Sequence, residues 1–379
     1  MNDLVNRLIK FRHTLHRFPE LSSNEKRTSQ IISEFVAQAK PTEIFNNIGG
    51  YGVLVIFDSG VPGPVTLFRA DMDALPIIEQ TELPYQSENH GVAHLCGHDG
   101  HSTVLAGLAH MISQNRPAKG KVLLLFQPAE ETGKGAQQVI SDVQFQTINP
   151  NSCYAFHNLP GFKKGAIIVK EGSFASASTG MVIDITGKPS HAAHPENGNN
   201  PDIAIGELIL ELNKITENRS DFQDFVLLTI IHVRVGEIAF GTTPGQGVVM
   251  LTIRAYLDED LQKLRSIVQE KTQTIMSKYK LEVAFSFEEP FSATINESRC
   301  VDIVRAATKD SNLELIELQE PFRWSEDFGS FSSVAPSVLF GVGSGIDYPQ
   351  LHNEDYDFPD SIIENALTVF YNIYRNINI

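Results

Sequence analysis

Apolar residues at Leu4, Leu8, Phe11 and Leu15 recur at helical spacing and predict a first helix at the N-terminus. A second helix is expected after Ser23 or Asn24 as N-cap, with Ile31, Ile32, Phe35 and Val36 as its buried face. The texture then changes. Short, continuously apolar runs at residues 52–57, 65–70, 121–126 and 153–157 read as strands, and helical stretches near 99–116 and 133–141 lie between the later ones. Apolar strands alternating with helices predict a sheet buried on both faces and at least partly parallel.

The middle of the chain follows another rhythm. Strand 181–186, helix 201–215, strands 225–233 and 248–257, helix 259–279 and strand 281–287 follow in order, which is the β-α-β-β-α-β pattern of a ferredoxin-like unit. Pro201 is expected near the first turn of its helix. After Pro290 the α/β texture resumes with a helix near 297–310, an apolar strand at 336–343 and a last helix from Pro359 to about Arg375. The fold class that follows is α/β. A domain with a mixed sheet flanked by helices (1–174 and 290–379) is interrupted by a smaller ferredoxin-like α+β insert (175–289).

Charge and composition narrow the partners. Lys and Arg total 30 against 46 Asp and Glu, a formal charge of −16, so a nucleic acid would meet a repulsive field. The most apolar stretch, residues 225–231, is far short of the ~20 residues of a membrane helix. The N-terminal segment mixes charge into its apolar pattern, unlike a signal peptide, and points to a cytoplasmic protein. Three scattered cysteines, Cys96, Cys153 and Cys300, make no disulfide framework, so a special role for any of them is chemical.

Ligands of open α/β sheets gather beyond the carboxyl ends of strands. Strand 65–70 is followed by Asp71 and Asp73, strand 121–126 by Glu130 and Glu131, strand 153–157 ends in His157, and strand 336–343 leads into a loop carrying His352. Between the first two strands lies HLCGHDGH, residues 94–101. Each feature alone has an ordinary structural explanation: a buried thiol, a hydrogen-bonded imidazole, acids at a helix start. Their joint placement at strand ends points to a two-metal hydrolytic site. Thiolate, imidazole and carboxylate suit zinc, with manganese, cobalt or nickel as alternatives. One of the two adjacent glutamates can ligate while the other takes the proton of the attacking water.

The segments RADMDALP (69–76), HLCGHDGH, FQPAEETGKGA (126–136), FHNLP (156–160), GKPSHAAHP (187–195), SEDFGSF (325–331) and LHNEDYDF (351–358) together resemble the metallopeptidase-related amidohydrolases, of the hippurate hydrolase and N-acyl-amino acid deacylase type. The resemblance covers essentially the whole chain. It implies Cys96, His98, Glu131, His157 and His352 as ligands of two divalent ions, Cys96 bridging them, and Glu130 as general base. It further implies Asp71 as an active-site carboxylate that orients a ligand, a task Asp73 could share. His191 in the insert would stabilise the oxyanion, and Arg254 would pair with a substrate carboxylate. The substrate class implied is a small N-acylated amino acid, and a homodimer through the insert is expected. A dipeptidase or carboxypeptidase of the same fold, or a non-catalytic metal- or amide-binding relative, is the alternative. Two departures bear on specificity. Gly241 stands where many relatives carry a substrate-holding Asn, and Asn353 and Glu354 replace a Ser-Pro after His352.

Overall fold

Helical periodicity at the N-terminus becomes the helix Asn2–Arg17, which buries Leu8, Phe11 and Leu15 and, on the same side, the charged pair Arg12 and His16. The computed structural model describes residues 2–217 and 219–379. The second helix, Lys26–Ala37, starts later than the Ser/Asn pattern suggests: Glu25 occupies the N-cap position and makes no side-chain cap.

The apolar runs pair into one eight-stranded mixed sheet. Its order is Glu43–Ile48, Gly52–Asp58, Lys121–Gln127, Val65–Asp71, Ser152–Pro160, Ser337–Gly345, Ile167–Val169 and Leu315–Glu317. The four strands from Lys121–Gln127 to Ser337–Gly345 run parallel, so Asp71, Gln127, His157 and Gly345 reach the same rim. Their side chains are buried on both faces. Helices Asn2–Arg17, Lys26–Ala37, His98–Gln114, Ser298–Asp310 and Ile363–Asn378 contribute to the same core. The last of these begins after a short 3-10 turn, Asp360–Ile362, later than Pro359 suggested.

The chain divides into two compact units. The first comprises residues 1–174, 294–321 and 326–379, and the second residues 175–293 and 322–325. The second unit is a four-stranded antiparallel sheet in the order Val226–Val235, Gln246–Ala255, Ala177–Thr186, Glu282–Phe291. Helices Asp202–Ile215 and Asp258–Lys278 cover one face through Leu208, Leu212, Leu264 and Val268. Numbered along the chain, its strands lie in the order 2-3-1-4, the ferredoxin-like arrangement that the β-α-β-β-α-β pattern anticipates. Among the described residues no helix is long and apolar enough to cross a membrane.

Candidate metal centre

Two unusual turns deliver the chemistry at the rim of the large sheet. The first is Cys96-Gly97-His98. Gly97, at φ +96°, precedes the helix His98–Gln114, and a Cβ there would lie 2.5 Å from the side-chain oxygen of Asn158. Only glycine fits, so Cys96 and His98 are turned inward together. The second turn follows Gln127. Ala129 takes a left-handed conformation (φ +55°) ahead of a 3-10 turn, Glu130–Thr132, and the helix Gly135–Ser141. His352 is itself left-handed (φ +66°), and its N–H donates to the Leu95 carbonyl at 2.8 Å, beside Cys96. Non-glycine residues held in this region signal an arrangement enforced by their surroundings.

These turns bring six of the residues singled out in the sequence together. The Cys96 sulfur lies 3.6 Å from His157 Nε2. His98 Nε2 is 3.7 Å from Glu131 Oε1 and 3.9 Å from Glu130 Oε2, and His352 Nε2 is 3.7 Å from Glu131 Oε1. Among the clusters of potential ligand atoms, two share the Cys96 thiol: Cys96 with His98 and His157, and Cys96 with Glu131 and His352; His98 also clusters with Glu130 and Glu131, and with Asp71 and His101.

The imidazoles are aimed by their other nitrogens. His157 Nδ1 donates to the Asn158 carbonyl at 2.8 Å, and His98 Nδ1 to the Asp73 carbonyl at 3.1 Å with Asp73 Oδ1 at 3.3 Å. Each ring therefore presents the lone pair of Nε2 to the centre. Asp71 is placed differently. Its Oδ1 accepts from His101 Nδ1 at 2.6 Å and its Oδ2 from Arg69 Nη1 at 2.6 Å, while His98 Nδ1 is 3.8 Å away. Asp73 rather than Asp71 is thus the carboxylate nearest His98. His101 in turn meets the Asn158 side chain, whose Nδ2 donates to the Cys96 carbonyl.

The charge balance fits a bound cation. Burial pushes the Glu130 carboxyl well above its ordinary range, and the charges of Glu326, Glu131 and Asp327 add to the effect. Burial likewise raises Glu131 to about 8 against the pull of His98, and raises the Cys96 thiol. Burial pushes His157 well down, and pushes His352 down too. Burial opposes a charge on His98, yet Asp71 and Cys96 outweigh it and the net shift is upward. His98 Nε2 and Glu131 Oε1 are sealed from solvent without hydrogen-bond partners. The 3.7 Å separations of His98 Nε2 and His352 Nε2 from Glu131 Oε1 are too long for hydrogen bonds between nitrogen and oxygen. They match the roughly 3.3–3.8 Å expected between two ligands that each sit ~2.0–2.3 Å from one tetrahedral ion.

His191 and Arg254 belong to the second unit. His191 pairs with Thr242 in a two-stranded ribbon, and its Nδ1 accepts from the Ala193 N–H at 3.0 Å. Arg254 is half-buried, its Nη1 donating to the Arg323 carbonyl at 3.1 Å and to Ser325 Oγ at 2.9 Å.

Several further contacts support the centre. Glu25 Oε1 accepts from the Ala129 N–H at 2.8 Å, and Asp73 Oδ2 from the Glu131 N–H at 3.0 Å, so two carboxylates grip the turn that presents both glutamates. Asp99 binds Arg12 Nη1 and His16 Nδ1, each at 2.9 Å. Arg69 and Asp327 stood inside quoted segments; their pairing across 258 positions has no periodic signature.

Residues 67–376 match the family described as Peptidase family M20/M25/M40. An N-acetyl-L-cysteine deacetylase of Bacillus subtilis is 31% identical over 98% of this chain and 88% of its own length. A hippurate hydrolase of Campylobacter jejuni is 30% identical over 97% and 96%. A solved structure of a dinuclear metal-binding peptidase of the M20 family from Bacillus subtilis superposes with a TM-score of 0.84 at 26% identity, over 98% and 97% of the two chains. The chain belongs to peptidase family M20/M25/M40 and is an amidohydrolase.

Proposed function

We propose that the protein hydrolyses the amide bond of small N-acylated amino acids, with two divalent cations held by Cys96, His98, Glu131, His157 and His352. The observation that carries the reading is the shared thiol: Cys96 belongs to two of these ligand clusters. Zinc suits the mixed sulfur, nitrogen and oxygen donors, with manganese, cobalt or nickel as substitutes. When bound, such ions polarise a carbonyl and make hydroxide available near neutral pH.

The chain's own residues supply the rest. Glu130 Oε1 accepts from the Asp327 N–H at 3.3 Å, and Oε2 faces the centre. Glu130 takes the proton of the attacking water on Oε2 and returns it to the leaving nitrogen. Asp71 steadies the centre through His101 and Arg69. We assign His191 to the oxyanion: Nδ1 is an acceptor in its local turn, so the ring proton sits on Nε2, ready to donate. Arg254, fixed through Nη1, is assigned to the substrate carboxylate. The compartment fitting this chemistry is the cytoplasm, where the buried, unlinked Cys96 stays reduced. A homodimer through the second unit is supported by its outer strand Val226–Val235, which exposes Ile231 and Val233, and by the fully exposed Ile238 and Phe240 beyond it.

The test is a panel of N-acetyl and N-benzoyl amino acids beside free dipeptides, with metal-replete wild type and Glu130→Gln. Cleavage of the acylated compounds, lost by at least ~100-fold in the variant, supports the assignment. Preference for free dipeptides would make it a peptidase, and full activity of the variant would remove Glu130 as base.

A further inference from the structure

The general base is held by a segment far from it in sequence. Asp327 is completely buried, and both of its carboxylate oxygens are occupied. Oδ1 accepts from Arg69 Nη2 at 2.7 Å and from Gln127 Nε2 at 2.9 Å; Oδ2 accepts from Gln127 Nε2 and the Ala136 N–H, each at 2.8 Å. Arg69, just as buried, also bonds Gln127 Oε1 through Nε at 2.9 Å and meets Glu326 at 2.9 Å. Both carboxylate oxygens of Asp327 are engaged, and its backbone N–H donates to Glu130 Oε1 at 3.3 Å.

We propose that Asp327 is a positioning residue for the reaction: clamped through its carboxylate by Arg69 and Gln127, it uses its backbone N–H to hold one oxygen of Glu130, leaving the other to work as the base. The inference rests on the assignment of Glu130 made above. It separates the two carboxylate oxygens into a held one and a reacting one. It also gives a function to the Glu326-Asp327 step, where the chain re-enters the first unit from residues 322–325 of the second. The displacement at stake is small. Loss of the clamp lets the 326–328 backbone relax, and a shift of about 1 Å in a reacting group costs up to roughly 100-fold in rate.

Asp327→Asn keeps the volume but turns one acceptor oxygen into an NH2 group facing the Ala136 and Gln127 donors. In metal-replete protein, kcat on an N-acetyl amino acid should fall roughly 10- to 100-fold, with KM and metal content unchanged. Adding Gln127→Glu restores one acid and one amide between Arg69 and the backbone, and should recover most of kcat. A merely structural role would lower metal content and stability together and give no recovery. Deuterium uptake of residues 325–331 in metal-free protein supplies a readout without substrate. Glu130→Ala removes the acceptor and should speed exchange of the Asp327 amide. Unchanged kcat in Asp327→Asn, loss without recovery in the exchanged pair, or unaltered exchange in Glu130→Ala overturns the proposal. If wild type cleaves no N-acyl amino acid while the Asp327 amide still responds to Glu130→Ala, the functional assignment has failed and the clamp has not.

Discussion

Replacing Glu25 by Gln should stabilise the protein at alkaline pH relative to wild type, because this carboxylate is kept at a cost. Glu25 is fully buried; Oε1 accepts from the Ser23 and Ala129 N–H groups, each at 2.8 Å, and Oε2 has no hydrogen-bond partner. Burial, helped by the charge of Asp73, outweighs the backbone bonds and raises its pKa from 4.5 to about 7. Between those values the folded protein holds a proton that the unfolded chain has released, so stability falls as pH rises through this window and levels off above it. Moving the pKa from 4.5 to about 7, at ~1.36 kcal/mol per tenfold change in proton affinity, amounts to about 3 kcal/mol. Gln keeps an acceptor for both N–H groups and carries no charge. The stability difference between Glu25→Gln and wild type should therefore move by about 3 kcal/mol in the variant's favour from below pH 4.5 to above pH 7. Urea denaturation of the metal-free proteins at both limits measures it, with metal linkage removed from the comparison. A pH-independent difference would falsify the burial argument. Because the hydrogen bond to Ala129 survives, kcat of Glu25→Gln should remain within a few-fold of wild type. Glu25→Ala leaves a buried N–H unpaired, at about 1–3 kcal/mol, and should lower kcat by loosening the turn before Glu130.

Two further outcomes follow from the same contacts. Burial opposes the charge of His16, yet Asp99 at 2.9 Å and Glu79 at 3.3 Å raise its pKa to about 9. Its contribution is fully present below pH 6.5 and is lost as pH rises through 9, so the Tm of metal-free wild type should decline over that window and that of His16→Gln should decline less; parallel curves would refute the ion-pair account. Gly97→Ala forces a Cβ to 2.5 Å from Asn158 Oδ1 at φ +96°. It should cost roughly 1–3 kcal/mol and weaken metal binding, since Cys96 and His98 move with the turn; calorimetric titration showing wild-type metal affinity would contradict this.

Much of the architecture was readable because it rests on periodicity. The four parallel strands are continuously apolar and their carboxyl ends share one rim, which is why Glu130, Glu131, His157 and His352 could be grouped with the Cys96-Gly97-His98 turn before any coordinates. Strands Glu43–Ile48, Ile167–Val169 and Leu315–Glu317 were not expected, since the first is half-exposed and the other two are only 3 residues long. The support around the centre was also hidden. Glu25, Arg69 and Asp327 carry no periodic signal in the sequence, and only folding across 104 and 258 positions pairs them with Ala129 and with each other. The resemblance put Asp71 ahead of Asp73, yet Asp73 lies nearer His98, since a two-residue spacing on a strand end does not say which carboxylate turns toward that ring.

The central claim is that one thiol joins two cation sites. Anomalous diffraction at the zinc edge from crystals of the zinc-loaded protein tests it directly. Two peaks about 3.5–4 Å apart should flank the Cys96 sulfur, one beside His98 and His157 and the other beside Glu131 and His352. A single peak, or density at the separate His16, Asp99 and Asp357 cluster instead, would contradict the account.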